Sequence, residues 1–97
     1  MNPEQLHAQR EMDQEILHYV RGMQNVAPVT EESVTGYLKH VRRRKVLDAQ
    51  VCDRIGYLVE KGWLKRDHEF VSGAGYEDFY LITADGRDVL DGAIPME

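Results

Sequence analysis

Two short segments, separated by a glycine turn, constrain this chain more than anything else in it. The first reads Glu60-Lys61-Gly62-Trp63-Leu64-Lys65-Arg66, and the second Tyr80-Leu81-Ile82-Thr83-Ala84-Asp85-Gly86. Glycine after an apolar-periodic stretch ends a helix, because it adopts the left-handed conformation that closes the last turn. Trp63 onward then alternates as a strand. Thr83 comes after a strand and can cap a helix. Between the segments, Ser72-Gly73-Ala74-Gly75 is a turn signal. The expected order is helix, strand, turn, strand, short helix.

The rest of the chain supplies more helix. Asn2 can cap a first helix with Pro3 at its first position. Met12, Ile16, Leu17, Val20 and Met23 form its apolar stripe, so the helix is expected to be firm from Met12 and frayed over residues 1–8. Pro28 disfavours helical geometry at Ala27. Thr30 then caps a second helix, with Glu31 and Glu32 in the first turn and Val34, Tyr37, Leu38 and Val41 facing inward. Gly36 within that helix suggests close approach of another helix. Asp48 is the expected cap of a third helix, with Leu47 stapled to Cys52. Val51, Ile55, Leu58 and Val59 are its buried stripe. Strands are expected over Trp63 to Val71 and Tyr76 to Ile82. A final helix from Thr83 turns Val89 and Leu90 inward.

Ninety-seven residues suit one domain. A chain of this length buries roughly 60–70% of its unfolded surface, which permits one modest core. The expected divisions are an N-terminal helix (1–28), a helix-turn-helix (29–62), a hairpin (63–83), and a short helix with its tail (84–97). A hydrophobic content of 42% with 30% charged residues fits an ordered soluble domain. A single cysteine, no secretory leader and no apolar run of about 20 residues point to the cytoplasm.

The net charge of −5 argues against indiscriminate coating of nucleic acid, but the charge is unevenly placed. Val29 to Arg66 carries an excess of +4, residues 67–97 carry −7, and residues 1–28 carry −2. The basic excess falls on the expected second and third helices.

These words resemble bacterial winged-helix regulators of the MarR and PadR type. Ile55, Leu58, Glu60-Lys61-Gly62, Trp63-Leu64 and Arg66 match the junction from third helix to first wing strand. Tyr80, Ile82, Thr83 and Gly86 match the second wing strand and its exit, and Leu90 matches the apolar position after it. The resemblance covers about Val29 to Gly92. It implies an α+β winged helix-turn-helix: a three-helix core, a two-stranded wing hairpin and a short C-terminal helix. It also implies a third helix lying in the major groove of duplex DNA, with the wing on the backbone or minor groove. The chain departs from the pattern at the wing, where Glu69, Glu77 and Asp78 flank the turn and would repel phosphate.

Candidate contacts come from the chemistry of the side chains. Arg42, Arg43, Arg44 and Lys45, supported by Lys39 and Lys65, are expected to hold phosphate oxygens. With the buried stripe removed, the third helix leaves Gln50, Asp53, Arg54 and Tyr57 exposed. Gln50 suits adenine and Arg54 suits guanine, so Gln50, Arg54 and Tyr57 are the expected base contacts. The blander alternative is a solvated basic face balancing Glu31 and Glu32, and an Asp53–arginine pair along the helix. Cys52 is expected to be a small buried residue. Trp63, Phe79 and Leu81 are expected in the core. Because Tyr80 and Ile82 occupy one strand face and Phe79 and Leu81 the other, one face is open to the first helix or to a second subunit. A homodimer is therefore expected.

No catalytic, cofactor or metal motif is present. His7, His18, His40 and His68 are scattered, and Gly73-Ala74-Gly75 lacks the Gly-Lys-Ser/Thr of a phosphate loop. The expected function is duplex DNA binding by a small transcriptional regulator, without enzyme activity. The alternative is a winged-helix module that binds protein, as an adaptor or within a larger complex.

Overall fold

The computed structural model describes residues 2–71, 73 and 75–96, with the backbone alone for residues 69–71 and 76. Helix α1 runs Pro3–Met23 and α2 runs Glu31–Gly36, continuing as a π-helical turn over Tyr37–Val41. Helix α3 (Asp48–Glu60) leads into strand β1 (Leu64–Val71), which pairs antiparallel with β2 (Gly75–Ile82); α4 spans Ala84–Leu90.

Helix α1 is longer than its apolar stripe requires. Asn2 Oδ1 accepts from Gln5 N at 2.8 Å, and Gln5 Oε1 accepts from Asn2 N at 3.1 Å. This reciprocal cap satisfies two orphan donors, so the expected fraying of residues 1–8 gives way to helix from Pro3. Residues 2–8 remain exposed along that overhang. Further along, Ile16, Leu17 and Val20 are fully buried.

Thr30 caps α2 as expected, with Ser33 returning the bond to its backbone N–H. A Cβ on Gly36 would meet nothing within 4 Å, so no close helix crossing explains that glycine. Helix α3 begins differently from expectation. Leu47 occupies the cap position, and Gln50 Oε1 accepts from its N–H at 2.9 Å. The Asp48 carboxylate goes instead to Lys39 Nζ, at 2.8 Å. Leu47 is 69% exposed and Cys52 is also exposed, so the expected staple between them is absent; Val46 packs against the core in its place.

The core joins all these elements. Val34 and Leu38 join Val51, Ile55 and Leu58, the α1 residues Met12, Ile16, Leu17 and Val20, and Trp63, Leu64, Tyr80, Ile82 and Val89 in one cluster, with α1 packed against β2 and α4 as well as α3. Strand β2 is also anchored from the α1–α2 connection: Tyr80 N donates to Val29 O at 2.8 Å, and Ile82 N to Gln24 Oε1 at 2.8 Å. These bonds occupy backbone groups on the strand's free edge.

The words shared by the two sequence segments have a single structural cause. Gly62 sits at φ 79°, and Trp63 N closes back on Leu58 O at 3.0 Å. Thr83 Oγ1 donates to Gly62 O at 2.6 Å while accepting from Gly86 N at 3.0 Å. A Cβ on Gly86 would lie 2.8 Å from Ile82 Cγ1 and closer still to the Trp63 carbonyl. Thus α4 is docked directly on the α3–β1 junction, and only glycine fits at the contact.

Three expectations about side chains fail. Val41, expected to face inward, is 67% exposed at the end of the π-helical turn. Cys52 is exposed because Val51, Ile55 and Leu58 fill the inward face one helical step away. Its thiol donates to Glu31 Oε1 at 3.4 Å, and that carboxylate pushes its pKa up, away from a reactive thiolate. Phe79 and Leu81 are half-buried rather than core, since the alternating pleat gives the helices Tyr80 and Ile82. Trp63 is buried as expected, at 4% exposure. Of the turn between the strands, Ser72 and Ala74 lie outside the described residues; Gly73 and Gly75 have φ of 88° and 82°.

Candidate nucleic-acid interface

The connection from α2 to α3 presents the basic run. Arg42 N donates to Tyr37 O at 3.1 Å and Arg44 N to Leu38 O at 2.9 Å, so the chain unwinds gradually out of the π-helical turn. Arg43 lies between them at φ 54°, a left-handed conformation uncommon for a side chain of this size. Arg43 and Lys45 are exposed.

Arg42 and Arg44 are less available than their sequence suggests. Arg44 Nε and Nη2 donate to both Glu15 oxygens at 2.7 and 2.6 Å, a fork-to-carboxylate pair. Arg42 Nη2 adds a third bond to Glu15 at 3.3 Å, and Glu11 lies 3.5 Å from Arg44 Nη2. The arginine hydrogen bonds hold the Glu15 carboxyl below its ordinary pKa, against an opposing contribution from burial. The basic turn is therefore balanced by α1, not by Glu31 and Glu32.

On α3, Arg54 turns toward α1. Its Nε and Nη2 donate to Asp13 at 2.9 and 2.6 Å, and its guanidinium lies 4.2 Å from the Tyr57 ring centroid. Tyr57 in turn meets Trp63 edge-on, at 6.5 Å between centroids. Arg54 and Tyr57 are consequently half-buried rather than exposed. Asp53 does not pair with Arg54, because the buried Asp13 takes the whole fork. Burial pushes the Asp13 carboxyl up, while the Arg54 bonds pull it down.

The outward face of α3, opposite Val51, Ile55 and Leu58, carries Ala49, Asp53, Gly56 and Glu60. It has no Lys or Arg. Gln50 lies at its edge, exposed, in a groove shared with Gln5, Gln9 and Arg54. Lys39 is bound to Asp48 beside the start of α3. Lys65 is apart from all of these. It pairs in register with Leu81, on the sheet face opposite Leu64 and Ile82. The structure thus groups Lys39, Arg42, Arg43, Arg44, Lys45 and Gln50 around one turn. It draws Arg54 and Tyr57 to α1 and leaves Lys65 on the outer sheet.

The wing is acidic where it is described. His68 Nδ1 lies 2.5 Å from Asp78 Oδ1, with Arg66 Nε 3.9 Å from the other oxygen. Glu77 and Asp78 are exposed.

Sequence reasoning missed Asp13, Glu11 and Glu15. Asp13 carried a signal: it falls inside the stripe of Met12, Ile16, Leu17 and Val20, where a charge demands a buried partner.

Comparison of the backbone with solved structures decides the architecture. The chain superposes on a PadR-like transcription factor from Bacteroides fragilis with a TM-score of 0.77, at 14% identity, over 96% of this chain and 85% of that one. A PadR family transcription regulator from Clostridium difficile R20291 gives 0.68 at 15% identity, over 84% and 81%. This is a winged-helix fold. The resemblance read from the junction and strand motifs holds at that level. No family model matches the sequence, and no curated protein matches it. No helix among the described residues is long and apolar enough to cross a membrane.

Proposed function

We propose that this protein binds duplex DNA through the α2–α3 turn and acts as a small transcriptional regulator. One observation carries the reading: four consecutive basic residues stand at the entrance to α3 on a winged-helix frame, with Arg43 and Lys45 projecting into solvent. The two solved structures that the chain superposes on are a PadR family transcription regulator and a PadR-like transcription factor. Arg43 and Lys45, with Arg42 beside them, supply contacts to phosphate that set register and affinity. Gln50 is the side chain best placed for a base edge, since its amide nitrogen remains a donor. The outward face of α3 offers small and acidic residues, so sequence discrimination rests on few contacts.

Duplexes of random sequence, labelled and titrated by fluorescence anisotropy, test the reading. Binding should weaken with salt, and R43A/K45A should flatten the log–log salt dependence by about two, one per lost phosphate contact. A variant with unaltered slope would contradict the assignment.

A second reading comes from the outer face of the sheet. Phe79 and Leu81 border a groove of about 300 Å³ with Val26, Ala27 and Pro28, and Val26 is 74% exposed. We propose that a second copy of the chain covers this face, giving a homodimer, with a different protein as the rival occupant. Sedimentation at tens of micromolar should give a dimer that F79E/L81E dissociates. A monomer at every concentration would remove this proposal without touching the first.

A further inference from the structure

The four basic residues of the turn are not equivalent, and the difference lies on α1. Glu15 accepts three hydrogen bonds from two of them: 2.7 and 2.6 Å from Arg44, and 3.3 Å from Arg42. Carboxylate and phosphate present the same paired oxygens to a guanidinium fork. Glu15 therefore occupies, from inside the molecule, the place a backbone phosphate would take. Its side chain is 13% exposed. The adjacent Ile16 and Leu17 are fully buried and fix its position. Glu11, one turn earlier, backs the same guanidinium at 3.5 Å. The contact opens onto a surface cleft of about 700 Å³ that is also lined by Gln14, His18, Arg43 and Lys45.

We propose that Glu15 is an autoinhibitory phosphate mimic, holding Arg42 and Arg44 off the duplex until a phosphate displaces it. This rests on the DNA-binding reading and specifies how that site is regulated. Arg42 is the first to transfer, since its side chain is 50% exposed and its bond to Glu15 is the longest of the three. Arg44, forked onto both oxygens, transfers only when a phosphate competes closely. In the resting protein the turn thus acts through Arg43 and Lys45.

The test compares wild type, E15Q and E4Q on the same random duplexes. Glu4 is exposed in the first turn of α1, roughly 16 Å along the helix from Glu15, so at about 0.1 M salt E4Q changes net charge equally from beyond a Debye length of about 10 Å. E15Q should tighten binding by about threefold or more at about 0.1 M salt and steepen the salt dependence by about one phosphate contact. E4Q should do neither. If E15Q binds no better than E4Q, the proposal is wrong while the DNA reading stands. If none of the three binds, both fall. A readout on the wild-type protein avoids dependence on the variant's folding. The Arg44 Nε–Hε resonance should shift when duplex is added, as the fork leaves Glu15, and an unmoved resonance at saturation would overturn the proposal.

Discussion

Arg54 on α3 grips both oxygens of Asp13 on α1, at 2.9 and 2.6 Å, with the Asp13 side chain only 3% exposed. The residue that the sequence suggests for reading guanine is instead the main polar tie between the first and third helices. Removing one partner leaves a buried charge unpaired. R54A should cost about 3 kcal/mol. In a domain of this size that lowers Tm by more than about 10 °C, checked by thermal melting. D13L/R54M should recover most of the loss, because a matched apolar pair needs no compensation.

Two glycines should respond oppositely to the same substitution. Gly86 faces the Trp63 carbonyl and Ile82 Cγ1, and the nearest backbone atom cannot yield. G86A should destabilise by about 3 kcal/mol. Gly36 is helical and meets nothing within 4 Å, so G36A should stabilise by up to about 1 kcal/mol. Chemical denaturation of both variants checks the signs, and stabilisation by G86A would contradict the described docking of α4.

Arg43 separates stability from binding. Its φ of 54° is strained for any residue with a Cβ, so R43G should leave stability unchanged or raise it by up to about 1 kcal/mol. The same change should weaken duplex binding. A loss of stability would mean that the Arg43 side chain holds the turn, contrary to its exposed position.

Glu15 makes the protein sensitive to acid. Its carboxyl is held below its ordinary value of 4.5, chiefly by Arg44. A group depressed on folding contributes stability at pH above its unfolded value, and the contribution is lost as pH falls through the folded one. The stability difference between wild type and E15Q should therefore be full near neutrality and shrink below about pH 4.5. Melting curves from pH 7 to pH 3 would show it. A difference that grows toward acid would contradict the ion pair.

Much of this fold is legible in the sequence because its signals are local. The stripe of Val51, Ile55 and Leu58, the Thr30 and Thr83 caps and the Gly62 stop each act within a few residues, and each is found in place. Leu47 and Cys52 depart from expectation: Gln50 caps the Leu47 N–H one residue before Asp48, whose carboxylate is taken by Lys39, and Cys52 falls beside the stripe that Val51, Ile55 and Leu58 already fill. The interface is less legible for the same reason. Arg44 meets Glu15 across 29 positions and Arg54 meets Asp13 across 41. No spacing rule links such pairs. Only the packing of α1 across the helix-turn-helix decides that two of the candidate arginines are forked onto carboxylates.

The most direct test of the central claim is to map the duplex onto the protein. Amide resonances of the labelled chain would be tracked as a random-sequence duplex is added at low salt. The shifts should cluster from Arg42 to Gln50, at the turn and the first residues of α3, and fade as salt is raised. Shifts confined to the Phe79 and Leu81 face, or none at saturating duplex, would contradict it and leave the winged helix as a surface for protein.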